Sequence, residues 1–303
     1  MDEHRRGHGS GRDGTLALVN AKSLNYWSAP GGLGGAVPIA SFLALAKKHR
    51  FDAVELCIFE EGVIHLGTTE AECREIVRQV ADHGLSVPTC ASGIYWSRAL
   101  GDEDAAARSR AVEDLRAMVR ITSWLGAKTL LTIPGAVSVF FLPDRHKQRY
   151  DEVLARASEG LRQVLPEAEA AGVRLGLENV WNRLLLSPTE LAGFIDGFGS
   201  PALGAYVDVA NLLPYGYPEQ WLRILEHRVA GVHFKDYRTA VGTAEGFVDL
   251  LEGDVDWPEV MKAIGEIGYT GPVVAEMIPE YKLYPEVRIA NTSNAMDAIL
   301  GRA

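Results

Sequence analysis

The stretch VRLGLENVWNRLLLSPTELAGFIDGFGSPALGAYVD, residues 173–208, reads as strand, helix and strand again. Val173–Glu178 and Gly204–Asp208 are short, mostly apolar runs of strand length, and each closes on a carboxylate. Between them Ser187 stands where a helix N-cap is wanted, with Pro188 at the first helical position and Glu190 three residues after the cap. A helix over Ser187–Phe198 joining two such strands is a βαβ unit. That connection implies parallel pairing, because a short turn would suffice for antiparallel neighbours.

Outward from this unit the alternation continues in both directions. Strands are expected at Lys22–Trp27, Ala53–Ile58, Ser86–Ala91, Lys128–Ile133, Val173–Glu178, Gly204–Asp208, Gly231–Phe234 and Val273–Glu276. Helices are expected at Pro38–His49, Thr68–His83, Asp104–Leu125, Gln148–Ala171, Ser187–Phe198, Pro218–His227, Trp257–Ile267 and Pro285–Leu300, one after each strand. In the fourth helix Leu154, Ala157, Leu161, Leu165 and Ala168 recur on one face, Glu159, Arg162 and Glu169 point elsewhere, and Gly172 ends it. Asp102 or Asp104 opens the third helix, while Gly84, Gly126 and Gly268 close the second, third and seventh. Eight units at roughly 36 residues each predict an α/β chain folded as a single (β/α)8 TIM barrel over residues 15–303. An open doubly wound sheet would want a phosphate-binding turn after its first strand. Gly31–Gly35 lacks the GxGxxG spacing and reads as a flexible loop. Residues 1–14, polar and rich in Gly, Arg and His, read as a flexible N-terminal tail.

Composition narrows the function classes. The 303 residues are 47% hydrophobic, enough for one large core, and 30 basic against 40 acidic side chains leave a net charge of −10. That charge disfavours nucleic acid as a partner. No apolar run approaches the length of a bilayer span, and the N-terminus has no signal-peptide stretch, so neither a membrane nor secretion is expected. Cys57, Cys73 and Cys90 are too few and too irregularly spaced for a disulfide framework and read as reduced thiols of a cytoplasmic protein.

In a barrel of this kind chemistry sits at the carboxyl ends of the strands. The fifth strand ends in Glu178, the sixth in Asp208, the seventh carries His233 near its end, and the eighth ends in Glu276. Successive members lie about one strand–helix unit apart, so they project from neighbouring staves. A lone acid at a strand end is ordinarily a helix cap or a solvated charge. Three carboxylates converging without a cation would repel one another and raise one another's pKa, so a single divalent ion is the expected cofactor. The oxygen-rich set suits Mn²⁺, Mg²⁺ or Co²⁺ at least as well as Zn²⁺.

Six pieces, in order, carry a resemblance that spans the chain beyond the tail: GluAsnValTrpAsn from Glu178, TyrValAspValAlaAsn ending at Asn211, TyrGlyTyrProGluGlnTrp from Tyr215, ValHisPheLysAsp from Val232, GlyAspValAspTrp from Gly253, and GlyProValValAlaGlu ending at Glu276. The sequence resembles the xylose-isomerase-like TIM-barrel superfamily, in its sugar and sugar-phosphate isomerase/epimerase branch. The resemblance implies that Glu178, Asp208, His233 and Glu276 hold the metal, commonly Mn²⁺ in this branch, and that Glu178 and Glu276 are the catalytic acid/base pair. It implies proton transfer next to a carbonyl through an enediolate, most simply ketose or ketose 5-phosphate 3-epimerisation. Aldose–ketose or hydroxypyruvate-type isomerisation and inosose dehydration use related parts. A sugar-binding sensor on the same fold would be expected to lose a catalytic glutamate. Endonuclease IV shares the barrel, but its extra histidines are missing here. Free-ketose epimerases carry a His three residues after the ligand Asp and a Glu six residues after the first ligand Glu, where this chain has Asn211 and Leu184. The AsnValTrpAsn segment is similar to that of L-ribulose- or L-xylulose-5-phosphate 3-epimerases.

Substrate contacts are expected from Asn179, Trp181, Asn211, Lys235 and Asp236, each near a ligand position, and from Tyr95 and Trp96 beyond the third strand. No dedicated phosphate site is visible, and of the remaining histidines only His65 stands near a strand end. The partner is a small-molecule sugar or sugar phosphate. A homo-oligomer is also expected, since barrels of this branch often pair and TyrLysLeuTyrPro from Tyr281 offers exposed aromatics.

Overall fold

All eight expected strands form, and they close on one another. The computed structural model describes residues 20–302, so the segment read as a tail lies outside the described residues. The strands are β1 (Lys22–Asn25), β2 (Ala53–Ile58), β3 (Ser86–Ser92), β4 (Thr129–Thr132), β5 (Arg174–Glu178), β6 (Leu203–Asp208), β7 (Val229–Phe234) and β10 (Val273–Ala275). They form a closed barrel in the order β1-β10-β7-β6-β5-β4-β3-β2, with parallel pairing throughout. Glu276 therefore stands just beyond its strand. The helices are α1 (Ile39–Lys48), α2 (Glu70–Asp82), α3 (Ala105–Trp124), α4 (Tyr150–Ala171), α5 (Pro188–Asp196), α6 (Pro218–Leu225), α7 (Trp257–Glu266) and α8 (Pro285–Ile299).

The local signals act as chemistry requires. Ser187 Oγ accepts from the Glu190 N–H, Asp104 rather than Asp102 caps α3, and Gly84, Gly126, Gly172 and Gly268 all take the left-handed conformation past their helices. On α4 the buried stripe runs through Val153, Ala157, Leu161, Leu165 and Ala168. Leu154, expected in that stripe, is only half-buried, because Val153 lies closer to the centre of the face. Two expectations need correction. A two-stranded antiparallel piece, β8 (Asp236–Tyr237) with β9 (Phe247–Val248), intervenes between β7 and α7. Two-residue strands are too short to leave a periodic signal. Gly31–Gly35 is a built turn rather than a loose loop: Gly32–Gly34 is one turn of 3-10 helix, and a Cβ on Gly32 would fall 2.1 Å from the Tyr26 carbonyl oxygen.

Inside the barrel Tyr206 fills the space beside β5 and β7, and this explains two glycines. A Cβ on Gly176 would meet the Tyr206 side chain at 3.1 Å, and one on Gly231 would meet its ring at 2.4 Å. At the amino-terminal end of the barrel the buried ammonium of Lys22 is paired with Asp297 at 2.5 Å and bonded to Ser293 Oγ at 3.0 Å, tying β1 to α8. Cys57, Cys73 and Cys90 are buried free thiols. Of the aromatics after β10, Tyr284 is 80% exposed, whereas Tyr281 is partly buried with its hydroxyl on Asp249. Among the described residues no helix is long and apolar enough to cross a membrane.

Candidate active site

Parallel pairing sets neighbouring strand ends side by side. Asp208 pairs with His233 across β6 and β7, and Glu178 pairs with Tyr206 across β5 and β6. Each ligand candidate is then fixed by its own contacts. Asn179 holds both backbone groups of Asp208, donating Nδ2 to its carbonyl and accepting its N–H on Oδ1, each at 2.9 Å. Asp208 Oδ1 accepts the N–H groups of Ala210 and Asn211 at 3.0 Å, which leaves Oδ2 turned away from the loop. His233 Nε2 is 2.7 Å from Glu55 Oε1, which leaves Nδ1 facing the Glu178 and Glu276 carboxylates at 3.6 Å each.

The result is a cluster in which one ligand atom from each of Glu178, Asp208, His233 and Glu276 lies within 4.8 Å of the others. Asp208 Oδ2, His233 Nδ1 and Glu276 Oε2 are buried without a hydrogen-bond partner. Buried polar atoms are nearly always satisfied, so three orphans pointing into one small space fit a divalent cation. Lys235 Nζ stands 3.1 Å from Asp208 Oδ2 and also against Glu276 Oε2. It neutralises charge there without the angles of a hydrogen bond.

Electrostatics follow from burial and neighbours. Burial pushes the Glu178 carboxyl up to about 7, against the opposing pull of His233, and the charge of Glu276 adds to the rise. Burial disfavours the His233 cation, but Glu55, Glu276 and Glu178 outweigh it and hold the ring well above the ordinary histidine range. Burial likewise works against the Lys235 ammonium, and Asp208, Glu276 and Glu178 overcome it. For Glu55 burial would raise the pKa, yet His233, Tyr206 and Asn25 together lower it.

A cavity of about 920 Å³ opens above the cluster, at the upper end of the usual range for ligand sites. Glu178 and Glu276 reach its wall, while Asp208 and His233 are fully buried. Of the expected substrate contacts, Trp96, Trp181, Asn211 and Lys235 line the cavity. Trp181 is anchored by its indole N–H on the Asn211 carbonyl, and Asn211 Nδ2 is left unpaired. Three expectations are corrected. Asp236 is fully buried and accepts from the Tyr237, Leu251 and Val255 N–H groups and from Trp257 Nε1, so it pins the β8–β9 piece to α7. Asn179 spends its amide on Asp208. Tyr95 is buried with its hydroxyl on the Leu131 carbonyl. His65 bonds the Gly67 N–H through Nδ1 and is not part of the cavity wall.

Sequence reasoning missed Glu55. It lies within β2, its Oε1 accepts from Asn25 Nδ2 at 2.7 Å, and its Oε2 accepts from the Tyr206 hydroxyl at 2.5 Å. Its one signal was a carboxylate inside an otherwise apolar strand, AlaValGluLeuCysIle. The aromatic rim of Phe140, Phe141 and Phe247 was missed as well, since neither a loop nor a two-residue strand carries periodicity.

A sequence profile described as xylose isomerase-like TIM barrel matches residues 43–297. The chain belongs to this family. Within the family it is 26% identical over 264 residues to the L-ribulose-5-phosphate 3-epimerase UlaE of Salmonella heidelberg (strain SL476), a match covering 86% of this chain and 89% of that protein. The solved structure of an L-ribulose 3-epimerase superposes on this xylose isomerase-like barrel with a TM-score of 0.74 at 18% identity, covering 93% of this chain and 95% of the other. The IOLI protein, solved with a zinc atom, superposes with a TM-score of 0.72 at 16% identity, covering 93% and 98%.

Proposed function

We propose that this xylose isomerase-like barrel is a divalent-metal-dependent sugar epimerase that moves a proton on the carbon beside a ketose carbonyl, inverting C3. The observation that carries the reading is the disposition of Glu178 and Glu276. Both flank His233 Nδ1 at 3.6 Å and both reach the cavity wall, whereas Asp208 and His233 stay behind them. The similarity to an L-ribulose-5-phosphate 3-epimerase supports the same reaction class.

Inversion needs a base on one face of the carbon and an acid on the other. Glu178 and Glu276 are that pair. Both reach the cavity wall, where one carboxylate can take a proton from the substrate and the other return one. The cation would be held by Glu178, Asp208, His233 and Glu276, and Mn²⁺ suits this set of three carboxylates and one imidazole. When bound, the cation supplies Lewis-acid stabilisation of the negative charge that develops on the sugar oxygens. Asn211 Nδ2, buried and unpaired, is placed to bond a sugar hydroxyl, and the Lys235 ammonium steadies charge beside Glu276. The Trp96 and Trp181 rings keep bulk water from the site.

The test is a screen of ketoses and ketose phosphates with added Mn²⁺, following C3 inversion and solvent deuterium uptake. One deuteron should enter at C3 with turnover, while label appearing at C1 or C2 with an aldose product would replace epimerisation by isomerisation. Glu178→Gln and Glu276→Gln should keep the fold and lose turnover by about 10²- to 10⁴-fold. A near-normal rate in either variant removes that residue from the mechanism.

A further inference from the structure

The cavity wall is aromatic and acidic. Trp96 meets Phe141 at 5.1 Å between ring centroids, Phe141 meets Phe140 at 5.2 Å, Phe140 meets Trp181 at 5.9 Å, and Trp181 meets Phe247 at 5.1 Å. These contacts form an unbroken aromatic band around the wall. Phe140 and Phe141 are 58% and 46% exposed, so ring surface remains free toward the opening. Glu60, Glu61 and Glu245 line the same cavity. Lys235 is the one cation among the described residues of the wall, and its charge is already set against Asp208 and Glu276. Arg98, which reaches the wall through Glu60 at 2.8 Å, is also bonded to Asp114 at 2.5 Å.

Given the epimerase reading above, on which this step rests, we infer that the substrate is an uncharged sugar whose far end lies on aromatic faces, and not a sugar phosphate. A phosphate group carries between one and two negative charges at neutral pH and requires charge-assisted donors when it leaves water. With a divalent ion in place, the ion and Lys235 together carry three positive charges, and Glu178, Asp208 and Glu276 balance them. No cation among the described wall residues is left over for a distant anion, and Glu61 and Glu245 repel one, Glu60 being paired with Arg98. The C–H faces of a sugar, by contrast, complement the electron-rich faces of Phe and Trp rings. The UlaE relative described above is named for a phosphorylated ketose, L-ribulose 5-phosphate. In this chain the described cavity wall holds no cation besides Lys235.

The experiment compares free ketopentoses and ketohexoses with ketopentose 5-phosphates on the Mn²⁺-loaded enzyme, reading C3 deuterium exchange, with inorganic phosphate tested separately for thermal stabilisation. The free ketose should show kcat/KM about tenfold or more above that of its own 5-phosphate, and inorganic phosphate should leave Tm unchanged. Phe140→Ala and Phe141→Ala should raise KM for the free sugar with little change in kcat. Glu245→Lys, at an exposed position on the wall, should shift preference toward the phosphate. An equal or higher kcat/KM for the 5-phosphate, or stabilisation by inorganic phosphate, overturns the inference and leaves the epimerase reading standing. Absence of exchange with every sugar of both kinds overturns the epimerase reading, and the inference goes with it.

Discussion

Glu55 touches no ligand position except through His233, yet it fixes which ring nitrogen faces the cluster. A carboxylate that accepts from Nε2 at 2.7 Å orients the ring and makes Nδ1 the better donor to a cation. Glu55→Gln should leave the fold intact and weaken Mn²⁺ binding by about 10- to 100-fold, measured by isothermal titration. Unchanged affinity would show that packing alone sets the ring. Glu178 makes a prediction about pH. Its folded pKa of about 7 lies above the ordinary carboxyl value of 4.5, so between those limits the folded metal-free protein holds a proton that the unfolded chain has lost. Its contribution to stability is therefore largest below pH 4.5 and falls as pH rises to about 7. Denaturant titrations of the metal-free protein should show this slope in the wild type and lack it in Glu178→Gln. Binding of Mn²⁺ must displace protons from Glu178 and His233, so its affinity should rise with pH up to about 7 and, because the His233 ring holds its proton well above the ordinary histidine range, continue to rise beyond it, with proton release visible in buffers of different ionisation enthalpy.

Among the elements, the β8–β9 piece depends on Asp236. Four donors converge on its carboxylate, from Tyr237, Leu251, Val255 and the Trp257 indole. Asp236→Ala would leave these buried donors without a partner, at a cost of about 3 kcal/mol. The variant should melt well below the wild type yet keep its KM when assayed at low temperature. A raised KM with normal melting would restore Asp236 to the substrate. The strands and helices themselves were legible, because Ser187, Gly84, Gly126 and Gly172 carry caps and stops that act through local geometry. The β8–β9 piece was not legible, because its pairing of Asp236 with Val248 joins residues too few and too far apart for any periodic pattern.

For the whole molecule, the closed barrel brings together ligand atoms from four strand ends that share no sequence neighbourhood, and a cation binding there stabilises only the folded chain. Saturating Mn²⁺ at about 100 times its Kd should add about 2.7 kcal/mol of stability, seen as a rise in Tm that a chelator reverses. A Tm indifferent to every divalent ion would remove the metal from the account. The sequence alone determined the barrel and the four residues at its rim, because hydrophobic periodicity and strand-end position are properties of short segments. It could not distinguish Asp236, which binds backbone, from Lys235 beside it, which reaches the cavity. Nor could it join Glu55 to His233, 178 positions apart, or assemble the aromatic band from separate segments of the chain. Those are matters of which side chains meet once the sheet has closed, and only the tertiary structure decides them.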